Sequence, residues 1–319
     1  MIERVLLADI GGTNARFALT NGRTIGPIEH LHVADFPSAN DAIAAVLDRH
    51  AAEPPAAAVL GVAGPVENNR CHITNSGWLL DGAELTKRFG LASVHLLNDF
   101  EALGWSLPGL QPADLFRVGG QAPTPGAPML VLGPGTGFGT AGLFMQDNQP
   151  LVVVTEAGHA TLSATSEREE KVIAQLRRQF GHVSIERVLS GSGLENLYHA
   201  LALVDGVAAP QRDAAGITHA ALDGSCAVSV AALDMFCGFL GGVAGNLALT
   251  FCARGGVYIA GGIVPRFADR LTQTGFRDQF EGKGRYDAYL GAIPTNIIVK
   301  PDASFIGLKL FFERSGSAG

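Results

Sequence analysis

Three times along this chain an apolar run breaks off in a glycine turn: "VLLADIGG" at 5–12, "PMLVLGPGTG" at 128–137 and "GVYIAGG" at 256–262. After the first two, the residues that follow ("TNARFALT" and "FGTAGLFMQ") read as a second strand and not as a helix. That pattern commits both segments to strand–turn–strand units. Two readings are open for such a turn. It is an ordinary hairpin, or it aims backbone N–H groups at an anion. "GPGTGFG" has more glycine than a plain hairpin needs, since each Gly costs roughly 0.5–1 kcal/mol against Ala in an ordered element. The opening turn adds a carboxylate, Asp9, beside Gly11, Gly12, Thr13 and Asn14.

Three phosphate-binding designs compete for these turns. A Walker A loop needs GxxxxGK[ST], but the only Lys after a Gly is Lys283, and Gly284 follows it. A Rossmann site needs GxGxxG opening a helix. "GFGTAG" at 137–142 has the letters, and Glu156 lies near the expected distance, but strand, turn and strand follow it. The third is an actin-like kinase, in which two hairpins from two domains clamp the nucleotide phosphates. "DIGGTNARFAL" and "GPGTGFGTAGL" fit it, one on each side of the Pro-rich stretch "LPGLQPADLF" at 107–116, the candidate domain boundary.

Composition narrows the partners. Hydrophobic residues are 47% of the 319, enough for a substantial core, and the length favours two domains. Net charge is −7 without a Lys/Arg run, which argues against nucleic acid and anionic membranes as partners. Cys71, Cys226, Cys237 and Cys252 form no CxxC pair, so no zinc site is expected and they read as buried free thiols of a reducing cytoplasm. Glu3, Arg4 and Asp9 interrupt the N-terminal apolar run, which argues against a signal peptide. The most apolar stretch, 227–253, lies within the segment 224–256 and is closed by Arg254. Asp234 and Asn246 interrupt it, so it reads as a long buried helix, its glycines at 238, 241, 242 and 245 allowing close packing. Helices are also predicted at 38–50, capped by Ser38, and at 166–180, with acids first, Arg last and Gly181 as stop.

Polar residues gather where strands end. "LLNDF" sets Asn98 and Asp99 there, a donor–acceptor beside an acceptor and candidate base. The same pair also reads as an N-cap for "FEALGWSL". "VVTEAGH" sets Glu156 and His159 at another strand end, and "GHVSIERVLSGSG" puts Glu186 at a predicted helix start with Ser190 and Gly191 in the turn after it. Each alone is equally a surface, cap or structural residue. As a set, they suit the vicinal hydroxyls of a sugar.

Taken together, "ADIGGTNARFAL", "VAGPV", "ITNSGW", "LLNDFEALG", "GPGTGFG", "EAGHA", "GHVSIERVLSGSGLENLY", "GGVYIAGGIVPRF" and "GFRDQFEGKGRY" resemble the bacterial glucokinases of the actin-like ATPase superfamily, in the branch without a zinc motif. The match runs from 8 to 286, and the order and spacing of the segments make it specific. The resemblance implies an α/β, two-domain actin-like ATPase (ribonuclease H-like) fold, with mixed sheets flanked by helices and a cleft between domains. It implies a smaller domain of 1–109 plus 300–319 and a larger one of 110–299. It implies an ATP-dependent transfer of the γ-phosphoryl group to the 6-hydroxyl of D-glucose in a cytoplasmic homodimer, with Mg²⁺ and without zinc. Ala8, Asp9, Ile10, Gly11, Gly12, Thr13 and Asn14 would form the first phosphate hairpin, with Asp9 holding Mg²⁺ through water. Gly133, Gly135, Thr136 and Gly137 would form the second; Gly261, Gly262 and Ile263 would line the adenosine pocket, with Ser190 and Gly191 near it. Asn98, Asp99, Glu156, His159 and Glu186 would hold the sugar, and Asp99 would be the base.

This sequence departs from the family at Pro134 and Phe138 within "GPGTGFG", at Ala157 within "EAGH", and most in "DASFIGLKLFFERSGSAG", where a Gly/Ala-rich closing helix is usual. No Cys lies near His159, unlike the zinc-bearing sugar kinases and repressors. A kinase for another hexose, a non-catalytic sugar sensor and a phosphohydrolase of the same superfamily are the alternatives. The sensor would normally carry a DNA-binding helix pair. The hydrolase would favour basic residues around its substrate.

Overall fold

The computed structural model describes residues 4–21, 24–73, 76–147 and 149–315; Thr74 and Asn75 of "ITNSGW" lie outside them. Two compact units divide the chain, Met1–Gln111 with Pro301–Gly319, and Pro112–Lys300.

The first unit is built on a five-stranded mixed sheet. Strands β1 (Val5–Ile10) and β2 (Asn14–Leu19) form the opening hairpin, and β3 (Glu29–His32) pairs with β2 at the edge. On its other side β1 runs parallel to β4 (Ala57–Val62). The hairpin β5 (Arg70–Ile73) and β6 (Trp78–Asp81) stands apart, and β7 (Ser93–Asn98) runs parallel to β4. Every residue of β4 is buried, as expected for a strand covered on both faces. Helices α1 (Ala39–Arg49), α2 (Gly82–Phe89) and α3 (Asp99–Ser106) flank the sheet, with the C-terminal helix Ser304–Ser315. Ser38 caps α1, its hydroxyl accepting from the Asp41 N–H. The C-terminal helix crosses α3 closely: a Cβ on Gly307 would stand 1.7 Å from the Ala102 carbonyl oxygen.

Beneath that helix, His95 of β7 meets Phe311 edge-on at 5.5 Å, and burial lowers the His95 pKa below its ordinary value. The folded protein therefore keeps this ring neutral while the unfolded chain protonates near the ordinary pKa of about 6.5. Below that pH the unfolded state binds more protons, so stability falls as pH drops; above it His95 contributes no pH dependence. His95→Phe is expected to flatten the acid side of a Tm-against-pH curve. An unchanged acid slope would refute the assignment.

The second unit holds a six-stranded mixed sheet: β8 (Leu115–Gly119), β9 (Met129–Pro134), β10 (Phe138–Gln146), β11 (Gln149–Thr155), β12 (Gly256–Ile259) and β13 (Thr295–Ile298), in the order β11-β10-β9-β12-β13-β8. Helix α4 (Glu167–Phe180) has its Ser166 cap and Gly181 stop. It is followed by α5 (Gly191–Asp205), α6 (Ala214–Leu222) and α7 (Ala227–Phe251). Three short helices, α8 (Ala268–Leu271), α9 (Phe276–Glu281) and α10 (Asp287–Ala292), complete it. Helix α7 is long and apolar enough to cross a membrane by length and composition, but Leu233, Phe236, Cys237, Leu240, Ala244 and Ala248 are fully buried in this unit's core.

The glycines of α7 divide into two faces. A Cβ on Gly241 or Gly245 would stand 2.0 or 2.4 Å from the carbonyl oxygens of Phe276 and Phe280, so this pair brings α9 against α7. Gly238 and Gly242 meet nothing nearer than Gln279, at 3.8 and 4.0 Å. The close packing expected of all four glycines belongs to two of them. Burial expected of all four cysteines holds for Cys71 and Cys237; Cys226 and Cys252, at the two ends of α7, are half-buried and exposed.

Candidate active site: two half-sites

In the first unit, three parallel strands end together. Ile10, Val62 and Asn98 share one register across β1, β4 and β7. The carboxyl ends of parallel strands are where open α/β sheets place ligands. The turn after β1 is closed by Gly11 N–H donating to the Asn14 carbonyl at 2.9 Å, while the Thr13 carbonyl accepts from Val33 at 2.9 Å. The N–H groups of Gly12 and Thr13 have no partner among the described residues.

Asp9 and Arg16 face each other across the hairpin, and the Arg16 guanidinium donates to Asp9 Oδ2 at 2.6 Å. The Ser304 hydroxyl donates to the same oxygen, and a second Arg16 nitrogen is paired with Asp302. Only 13% of the Asp9 side chain is exposed. Asp9 Oδ2 is thus fixed, and Oδ1 makes no bond among the described residues. Arg16 was not among the expected site residues, although an opposite charge directly across a hairpin from Asp9 is a signal that points to it. Ser304 and Asp302 carried no such signal.

Asn98 is the N-cap of α3. Its Oδ1 accepts from Phe100 N–H at 2.9 Å, and its Nδ2 donates to the Gly64 carbonyl at 3.1 Å. Because the two backbone groups demand opposite roles, they fix which way the amide points. Asp99 is the first residue of the helix, and its Oδ1 also accepts from Phe100 N–H, at 3.0 Å. As a first-turn acid it lies at the positive end of the helix dipole. Burial, and then the Asp99 charge, push the Cys71 thiol up, which keeps that sulfur protonated beside Asp99.

In the second unit, the β9–β10 turn is closed by Gly135 N–H donating to the Gly137 carbonyl at 2.8 Å. Thr136 and Gly137 keep N–H groups without a partner among the described residues, as Gly12 and Thr13 do. Three features abut this turn. Gly191 N–H, at the start of α5, donates to the Gly135 carbonyl at 2.9 Å, so the positive end of a 15-residue helix adjoins the turn. Glu186 Oε2 accepts from Phe138 N–H at 2.9 Å. The 260–262 turn lies flush against β9: a Cβ on Gly133 would stand 2.1 Å from the Ala260 carbonyl oxygen, and one on Gly261 (φ +87°) 2.2 Å from that of Pro134. Gly135 and Gly262 have nothing within 4 Å of a built Cβ, so packing does not demand glycine there. Ile263 is half-buried and leads into a short 3₁₀ turn.

Glu156 follows β11 at this same edge, and His159 ends the turn after it. The two side chains are 3.9 Å apart and mostly exposed. Glu186 N–H donates to the Gly158 carbonyl at 2.9 Å, which brings Glu186 beside the Glu156–His159 turn.

Two expectations change here. Glu186 does not start a helix. It sits in a run of tight turns, with Leu189 N–H bonded back to Ile185, and the helix begins five residues later at Gly191. Ser190, expected in a turn after that helix, is instead its N-cap: the hydroxyl accepts from Gly193 N–H at 3.0 Å and donates to the Glu186 carbonyl at 2.8 Å. Ser190 is fully buried, and its hydroxyl holds the helix start.

A model of the glucokinase family matches residues 6–315. The chain belongs to the glucokinase family. Its relatives include a glucokinase of Paramagnetospirillum magneticum, 45% identical over 312 residues that cover 97% of each chain. Among solved structures, a glucokinase from an Antarctic psychrotroph is 36% identical with a TM-score of 0.90, covering 98% of this chain and all of that one. A ROK family glucokinase from Streptomyces griseus, solved with glucose and AMPPNP, shares the fold at 18% identity and a TM-score of 0.64, over 96% of this chain and 98% of that one. The fold is therefore the α/β actin-like kinase architecture, with mixed sheets flanked by helices. As a glucokinase-family member the chain is a sugar kinase.

Proposed function

We propose that this chain transfers the γ-phosphoryl group of ATP to the 6-hydroxyl of D-glucose, giving glucose 6-phosphate and ADP. The observation that carries this reading is the matched pair of glycine turns, one in each unit, each with two adjacent backbone N–H groups left for a ligand. Polyphosphate oxygens accept from such groups, and the α5 N-terminus beside the second turn favours the same charge. Gly135 and Gly262, open where a side chain could stand, leave backbone-walled space for the phosphates and adenosine. Gly261 and Ile263 shape that second space; Ser190 and Gly191 act by holding the start of α5 to the hairpin.

Asn98, Asp99, Glu156, His159 and Glu186 hold the sugar hydroxyls, and Asp99 accepts the proton of the 6-hydroxyl as that oxygen attacks phosphorus. The cap bonds of Asn98 leave one Nδ2 proton and one Oδ1 lone pair for a hydroxyl. Positioning carries most of the rate, because phosphoryl transfer needs little covalent help.

Asp9 fits an outer-sphere role toward Mg²⁺. Its Oδ2 is immobilised by Arg16 and Ser304, and Oδ1 is left to bind the cation's water. When bound, Mg²⁺ neutralises charge on the phosphate oxygens. A cytoplasmic homodimer belongs to the same proposal.

The test is ADP release from ATP over a panel of hexoses, with and without sugar. Glucose-dependent release supports the reading. Preference for another hexose corrects the substrate, sugar-independent release makes the chain a hydrolase, and none makes it a sensor. Within the panel, Glu156→Ala is expected to raise the glucose KM by about tenfold or more, since it removes a charged hydrogen-bond acceptor. An unchanged KM would take Glu156 out of the sugar site.

A further inference from the structure

The segment "GFRDQFEGKGRY", at 275–286, has no part in the half-sites. It frames a small open cleft in the second unit, of about 50 Å³. The open glycine face of α7, Gly238 and Gly242, forms one wall. Lys283 reaches in from the end of α9 and donates to the Gly242 carbonyl at 3.2 Å. No carboxylate pairs with this ammonium among the described residues, and burial lowers its pKa. Glu169, itself buried, accepts through Oε2 from the N–H and hydroxyl of Thr165, at 2.5 and 2.8 Å. Its Oε1 makes no bond among the described residues. Ser163, Asn246 and Gln279 line the mouth.

A half-buried ammonium that no carboxylate pairs, held by one backbone carbonyl, keeps donors to spare for an acceptor from outside. A free carboxylate oxygen in the same cleft asks for a donor. Glycines that no packing requires keep the space open, at a cost to helix α7 that alanine would relieve. We propose that this cleft binds a small hydroxylated anion, a phosphate monoester of a short polyol, with the anionic group at Lys283 Nζ and a hydroxyl donating to Glu169 Oε1. The bond to Gly242 uses one of three ammonium protons, so two remain for the anion.

Calorimetric titration of the whole protein with glycerol 3-phosphate, inorganic phosphate and glycerol tests this. Glycerol 3-phosphate is expected to bind wild type more tightly than inorganic phosphate, and glycerol not at all. Lys283→Met is expected to weaken binding about tenfold or more, as loss of a charge-assisted hydrogen bond does. The pair Gly238→Ala and Gly242→Ala is expected to raise Tm while weakening binding, a combination that a purely structural role does not give. Binding is expected to persist in Glu156→Ala, so the result stands apart from the sugar-site reading. The proposal is overturned by no binding in wild type, by glycerol binding equally, by unchanged affinity in Lys283→Met or in the alanine pair, or by loss in Glu156→Ala.

Discussion

Asp99→Asn is expected to lower kcat for glucose by about 10²–10⁴-fold, the usual contribution of a positioned general base, with little change in glucose KM. The substitution keeps the shape and an acceptor at Oδ1. The start of α3 should survive, because Asn98 Oδ1 accepts from the same Phe100 N–H, at 2.9 Å against 3.0 Å for Asp99. The loss of one carboxylate from the first helical turn should cost about 0.3–1 kcal/mol of stability. A folded variant with normal sugar binding and very slow turnover is therefore the expected phenotype. Steady-state kinetics beside a melting curve decide it. If kcat stays within tenfold of wild type, Asp99 is not the base; if kcat falls together with a loss of stability well beyond about 1 kcal/mol, the cap account of α3 is at fault.

The hairpins were legible because two independent signals agree. Near-continuous apolar runs mark the strands, and glycine in excess marks turns that do more than reverse the chain. The cap at Ser38 was legible for a similar reason: its hydroxyl stands three residues before the N–H it accepts from, a spacing that Ser166 turns out to share. Asn98 illustrates a false choice. The sequence offered cap or ligand, yet the cap consumes only part of the amide's hydrogen-bonding capacity, so the two roles are compatible. What stayed illegible depends on distance or on facing. Ser304 reaches Asp9 across 295 positions, which no local pattern encodes. The α7 glycines repeat at helical spacing, but only the neighbouring helix decides that 241 and 245 are crowded while 238 and 242 are open. Glu186 was placed at a helix start because acids favour first turns. Its carboxylate instead accepts from Phe138 N–H, and the helix waits for the Ser190 cap.

The same change, Gly to Ala, is expected to act oppositely at two positions of one turn. At Gly133 a methyl group would stand 2.1 Å from the Ala260 carbonyl oxygen and 2.5 Å from its carbon, and backbone cannot swing aside as a side chain can. Relief requires β9 to part from the segment after β12, whose Ala260 N–H bonds the Leu132 carbonyl at 2.8 Å. Gly133→Ala should therefore cost about 3 kcal/mol or more, at the upper end for overpacked interiors, and lower Tm by several degrees. Gly135→Ala meets nothing within 4 Å, and φ there is not positive, so the fold should keep its Tm. Its methyl instead occupies space beside the free amides of Thr136 and Gly137, where the phosphates are proposed to lie. The KM for ATP should rise about tenfold or more, equivalent to losing one good hydrogen bond, while the glucose KM holds. A wild-type Tm for Gly133→Ala would refute the packing of the 260–262 turn on the hairpin. An unchanged ATP KM for Gly135→Ala would refute the phosphate assignment, because no structural demand for glycine would remain to explain that position.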